Sequence, residues 1–188
     1  MKISISGKHI EVGDSLKSHI EESLKSIVNR QLGDVLEVQA MITKNNAYEF
    51  TMDISIHISR HFVVRAHASD TDAYRSCDLA LEKMVNRIHR YKARLRDQKR
   101  GSEDTIFPAQ QYVINAQTED KGEDHPIIIA EMSHDIPTIS VGEAVMRMDL
   151  TESSVMMFKN PNSGHFNVVY RRTDGHIGWI DPTNTGKN

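Results

Sequence analysis

The stretch Phe50–Ile58 limits the possible folds most. Phe50, Met52, Ile54, Ile56 and Ile58 alternate with Thr51, Asp53, Ser55 and His57. A period of two puts all five apolar side chains on one face of a strand. Such a strand needs a sheet with one buried face and an apolar partner to cover it. Its neighbours supply the sheet. Leu36, Val38, Ala40 and Ile42 alternate before it, and Phe62, Val64, Ala66 and Ala68 after it. The links near Asn45–Asn46 and Ser59–His61 are short enough for hairpins. Ile3 and Ile5, alternating with Ser4 and Ser6, predict a further short strand.

Two segments can cover that sheet. Leu16, Ile20, Leu24 and Ile27 recur every three or four residues, which predicts an amphipathic helix over Ser15–Gln31. Asp14 or Ser15 can cap it, and Gly33 can end it. Asp70-Thr71-Asp72 offers a cap for a longer helix. Along it Tyr74, Cys77, Leu81, Met84, Ile88, Tyr91 and Leu95 alternate in steps of three and four. That seam must lie on something apolar, and the sheet is available. Residues 1–100 therefore read as a β-α-β-β-β-α domain, with two helices on one face of a four-stranded sheet.

Beyond residue 100 the pattern changes. Residues 101–126 carry Glu103, Asp104, Glu119, Asp120, Glu123 and Asp124 against one Lys121, with Pro108, Gly122 and Pro126. This composition predicts an acidic flexible linker. The apolar pieces Ile106–Phe107 and Tyr112–Ile114 have no assigned place in it. Residues 127–182 read as a small α+β domain. Ile127–Ile129 is a strand, and Ser140–Glu143 fits a capping box opening a short helix to about Leu150. Strands follow at Val155–Lys159, Phe166–Arg172 and Ile177–Ile180, with turns at Asn160–Gly164 and Asp174–Gly175.

Charge divides the chain in the same way. Residues 1–100 carry a net +4 and residues 101–188 a net −7, within an overall −3. The positive charge concentrates on the long helix. Between Lys83 and Arg100 stand eight basic residues and one acid, Asp97. At about 100° per residue, Lys83, Arg87, Arg90 and Arg94 fall within about 60° of one another, about 120° from the apolar seam. Lys92, Arg96 and Lys99 lie on another side. No acid at i±4 within the helix relieves the repulsion, as it would on an ordinary solvated helix. An external polyanion would relieve it, and RNA is the natural candidate. Lys17 and Lys25 on the first helix can extend the patch. A merely solvated helix is the plain alternative, and the eight-to-one bias argues against it. An acidic membrane fits less well, because the apolar seam is needed for the core.

The small domain raises a different problem. It is marginal alone and has no disulfide to staple it. Val155, Met157 and Phe158 belong to a strand that is apolar on both faces, and Phe166, Val168 and Tyr170 share one face of the next. Strands of that kind want cover on both sides, which a second copy can provide. These six residues are the expected homodimer interface. The alternative is a monomeric subdomain packed on the N-terminal unit.

Other functions find little support. No apolar run approaches the roughly 20 residues that span a bilayer. The N-terminus does not read as a signal peptide, so a cytoplasmic protein is expected. Cys77 is the only cysteine, so no intrachain disulfide can form. His57 and His61 have a ligand-like spacing but need not converge on a strand and turn, so no metal is expected. No phosphate-binding loop, dinucleotide fingerprint or nucleophile motif appears. Catalysis, a cofactor and a small-molecule substrate are accordingly not expected.

Three stretches resemble the long form of the bacterial ribosome hibernation-promoting factor family. They are ISGKHIEVGDSLKSHIEESL, DAYRSCDLALEKMVNRIHRYKARLR, and SVGEAVMRMDL followed by NVVYRRTDGHIGWIDP. The resemblance implies that the N-terminal domain binds the small ribosomal subunit and its rRNA, in the channel used by mRNA and tRNA, and blocks translation. It implies that the C-terminal domain pairs with its copy on another ribosome. The family's basic ladder falls on Lys83, Arg90, Lys92, Arg94 and Arg96. Family members vary between basic and polar at Arg87. Lys17 and Lys25 match basic positions of the first helix. A free RNA-binding module acting on mRNA or structured RNA is the alternative function.

Overall fold

The computed structural model describes residues 2–46, 48–59, 62–100, 105–115 and 127–182, and of 97–100 only the backbone. His61, the side chains of Lys99 and Arg100, and the acids at 103–104 and 119–124 lie outside the described residues. The chain forms two compact units. One comprises Met1–Ser102 with Val145–Ser154, and the other Glu103–Ala144 with Val155–Asn188.

The first unit is built on a four-stranded sheet of β1 (Lys2–Lys8), β2 (Glu37–Asn46), β3 (Glu49–Ser59) and β4 (Phe62–Asp70), in that spatial order. β1 runs parallel to β2, and the other pairs are antiparallel. The register lines up Ile5, Ala40, Ile54 and Ala66 across the sheet. The alternation at Phe50–Ile58 therefore becomes one continuous apolar face. Helices α1 (Asp14–Ile27) and α2 (Ala73–Arg100) supply its cover, as expected. Leu16, Ile20 and Leu24 of α1 share a core cluster with Cys77, Leu81, Met84, Ile88 and Leu95 of α2.

The helix ends differ in detail. α1 starts at Asp14 with Gly13 at the cap position and no side-chain cap bond. It closes in a wide turn at Val28–Leu32, and Gly33 (φ 72°) returns its N–H to the Val28 carbonyl at 2.9 Å. A positive φ suits glycine, which has no Cβ to clash. α2 is capped as expected: the Asp72 carboxylate accepts from the Arg75 N–H at 2.9 Å. Tyr74, expected in the seam, is instead exposed and meets the His19 ring edge-on at 5.4 Å.

In the second unit, β5 (Ile106–Ile114) pairs antiparallel with β6 (Ile128–Pro137). β5 lies within the stretch expected to be a linker. Its Ile106, Phe107, Tyr112, Val113 and Ile114 supply strand-forming side chains that the flanking acids outweighed in the composition. Helix α3 (Val141–Leu150) follows, and the Glu143 N–H donates to Ser140 Oγ at 3.2 Å, a bond of the expected box. The division between the units runs through this helix, since Val145–Ser154 falls with the first. A three-stranded sheet completes the second unit: β7 (Val155–Lys159), β8 (Phe166–Arg171) and β9 (Ile177–Ile180).

Candidate nucleic-acid interface

α2 carries six of the eight expected RNA-binding residues, and the structure gives them different roles. Among the described residues β4 is an edge strand, so its outer backbone groups have no partner strand there. Lys83 Nζ donates to the His67 carbonyl at 2.9 Å, and Arg87 donates to the Arg65 carbonyl. One turn apart on α2, these two cations cap the β4 edge. Arg87 also pairs with Glu152 at 2.9 Å, and Arg90 with Asp149 at 3.3 Å. Burial, and then the hydrogen bond to Asp149, push the Tyr91 phenol above its ordinary pKa. Lys92 is half-buried and donates to Gln31 Oε1 at 3.1 Å, beyond the end of α1. Arg94 and Arg96 are exposed.

The two α1 lysines stand apart from this group. Lys17 is exposed. Lys25 pairs with Glu21 at 2.6 Å, and that hydrogen bond holds the Glu21 carboxyl below its ordinary pKa. The groove between α1 and α2 is lined by Glu22, Asp78 and Glu82 among others. The positive surface is therefore centred on the C-terminal half of α2, where Arg90 and Arg94 face one side and Lys92 and Arg96 another. Gln31, Asp149 and Glu152 were not expected as partners. Nothing in the periodicity of α2 indicates which neighbours lie beside it.

The structure also brings together His19, Cys77 and Asp78, whose donor atoms lie within 4.8 Å of one another. His19 Nε2 is 2.8 Å from Asp78 Oδ1, tying α1 to α2. Burial, and secondarily the Asp78 charge, push the Cys77 thiol up to about 12. His57 is half-buried on β3, and its expected companion His61 lies outside the described residues.

The expected self-association residues fall on the β7–β8–β9 sheet. Val155 stands opposite Tyr170, Met157 opposite Val168, and Val168 opposite Ile180. Phe166, Val168 and Tyr170 alternate along β8, so five of the six expected residues share one face, joined by Ile180. Val155 is 55% exposed, Met157 41% and Ile180 52%. Phe158 does not belong to this face. It pairs with Asn167 on the opposite side and is 0% exposed, a core residue of its own unit. The run Val155–Phe158 is apolar at every position, so only the strand register could assign its faces.

A cationic helix laid over a four-stranded sheet, with a partly exposed apolar face in a second unit on which Phe166 meets Phe107 edge-on at 5.6 Å, makes the chain a candidate polyanion-binding protein. A family described as "Sigma 54 modulation protein / S30EA ribosomal protein" matches residues 3–96, and one described as "Sigma 54 modulation/S30EA ribosomal protein C terminus" matches residues 123–178. The ribosome hibernation promotion factor of Rhizobium meliloti is 32% identical over 188 residues, covering 98% of each chain. That of Bradyrhizobium diazoefficiens is 31% identical over 193 residues, covering 97% of this chain and 95% of its own. The N-terminal domain of Thermus thermophilus Protein Y is 20% identical, with a TM-score of 0.43, covering 48% of this chain and 99% of that one. The chain belongs to the long-form ribosome hibernation promotion factor family.

Proposed function

We propose that this protein is a non-catalytic ribosome silencer. Its N-terminal domain binds the small subunit in the mRNA and tRNA channel and blocks translation. Its C-terminal domain pairs with a second copy and joins two ribosomes. The observation that carries the first half is the exposed pair Arg94 and Arg96, beside Arg90 and Lys92, on a helix whose apolar seam is already spent on the core. Lys and Arg side chains displace condensed counterions from a phosphate backbone, and Arg also stacks on unpaired bases. The second half is supported by the apolar face of Val155, Met157, Phe166, Val168, Tyr170 and Ile180. A second copy presents the same face, so a two-fold axis would cover both at once.

Sedimentation tests the proposal. The purified protein should co-sediment with small subunits in dilute buffer, and whole ribosomes should shift to a heavier paired species. Binding to naked RNA with the same affinity as to ribosomes would favour the free RNA-binding module instead. Failure to bind ribosomes in dilute buffer would overturn the proposal.

A further inference from the structure

Two acids of the Val145–Ser154 segment pair with cations of α2. Glu152 sets Oε1 2.9 Å from Arg87 Nη2 and Oε2 2.7 Å from His67 Nδ1. Asp149 sets Oδ2 3.3 Å from Arg90 Nη1 and hydrogen-bonds the Tyr91 side chain. The segment is firmly seated. Met146 and Leu150 belong to the apolar cluster of the first unit, and the Arg147 guanidinium lies 5.4 Å above the Phe62 ring. Glu152 holds a left-handed backbone (φ 55°) just past the end of α3, where the Ser153 N–H returns to the Met148 carbonyl at 3.0 Å and fixes the carboxylate's place.

We propose that Asp149 and Glu152 form an acidic clasp, an internal substitute for phosphate that holds Arg87 and Arg90 until an RNA displaces it. This rests on reading α2 as the RNA surface, and it adds how that surface is regulated. Arg94 and Arg96, further along α2, would make the first contacts. Displacement would then hand Arg87 and Arg90 to the RNA. Exchange would begin at Arg90, which is 64% exposed on its side chain and can be reached without unfolding, whereas Arg87 and Glu152 are 17% and 20% exposed. A solvent-reached ion pair is weak, so a polyanion offering several phosphates can outcompete the Arg90–Asp149 pair first.

The test compares full-length wild type with Asp149→Asn/Glu152→Gln, which keeps side-chain volume and hydrogen-bonding capacity. Glu131→Gln/Asp174→Asn, two exposed acids of the other unit, serves as a control of equal net charge. Binding is measured at low salt to a short single-stranded oligouridine and to purified small subunits. A thermal melt confirms that each variant is folded, and Glu152→Gln alone replaces the pair if the double variant is not. The clasp variant should bind both probes about fivefold tighter, because two competing pairs are removed. The control should not gain, and adding Arg87→Ala/Arg90→Ala should erase the gain. An unchanged affinity, or an equal gain in the control, overturns the clasp. A gain on oligouridine with no form binding small subunits leaves the clasp standing and refutes the ribosome reading. No binding of either probe by any form refutes both.

Discussion

The Lys83 ammonium donates to the backbone carbonyl of His67 at 2.9 Å. That carbonyl lies on the free edge of β4, and Arg87 treats the carbonyl of Arg65 in the same way. Two cations of one helical ridge are thereby engaged by the protein itself, while Arg94 on the same ridge is exposed. The ridge therefore divides into a half that the protein itself engages and a half that is open to solvent.

Unfolding and binding experiments should separate the halves. Lys83→Met removes a charged hydrogen bond to an edge carbonyl and should cost about 1 kcal/mol in urea unfolding. Arg94→Ala and Arg96→Ala should stay within about 0.5 kcal/mol of wild type, as exposed substitutions usually do. Their deficit should appear in binding to small subunits. Equal destabilisation by Arg94→Ala and Lys83→Met would contradict the division.

Salt titration counts phosphate contacts. The affinity for small subunits should fall linearly with salt on logarithmic axes, and Arg94→Ala should make the slope shallower by about one unit. Lys25→Ala should change it less, because Lys25 already pairs with Glu21.

Substitutions on the two faces of the β7–β8–β9 sheet should separate pairing from folding. Val168→Asp places a charge on the exposed apolar face and should abolish ribosome pairing while sparing inhibition of translation. Phe158→Ala acts on the other face and should destabilise the unit by about 3–5 kcal/mol, read by calorimetry. Gly178→Val should mimic Val168→Asp, because a Cβ at Gly178 would overlap the Tyr170 ring and displace it. Normal pairing by Val168→Asp would exclude this face.

The buried thiol gives a pH signature. The Cys77 pKa rises from 9.0 to about 12 in the folded state, through burial first. Above pH about 9 the unfolded chain gives up this proton while the folded chain keeps it. Ionisation therefore favours unfolding, and stability should fall progressively as pH rises through that window. Cys77→Ala should flatten the fall, measured as the urea midpoint against pH. A thiol reagent at pH 8 should label Cys77 only in denaturant; rapid labelling of the native protein would contradict its burial.

The N-terminal architecture was legible because its strands alternate cleanly and the α2 seam repeats over more than five turns. The β5–β6 ribbon was less so. Pro108 and the paired Gln110 and Gln111 interrupt any alternation, and the acids around the segment dominate its composition. Phe158 could not be assigned a face, since every residue from Val155 to Phe158 is apolar and only pairing with Asn167 decides the matter. For the cationic helix, the angular positions were predictable from the sequence. What stands beside each cation was not, because the β4 edge, Gln31, Asp149 and Glu152 come from distant parts of the chain.

The most direct test of the central claim is an image of the protein bound to the ribosome. The account predicts the C-terminal half of α2 against small-subunit rRNA, with Arg94 and Arg96 on phosphates or unpaired bases. Finding α2 turned to solvent, with another surface of the first unit on the rRNA, would contradict it.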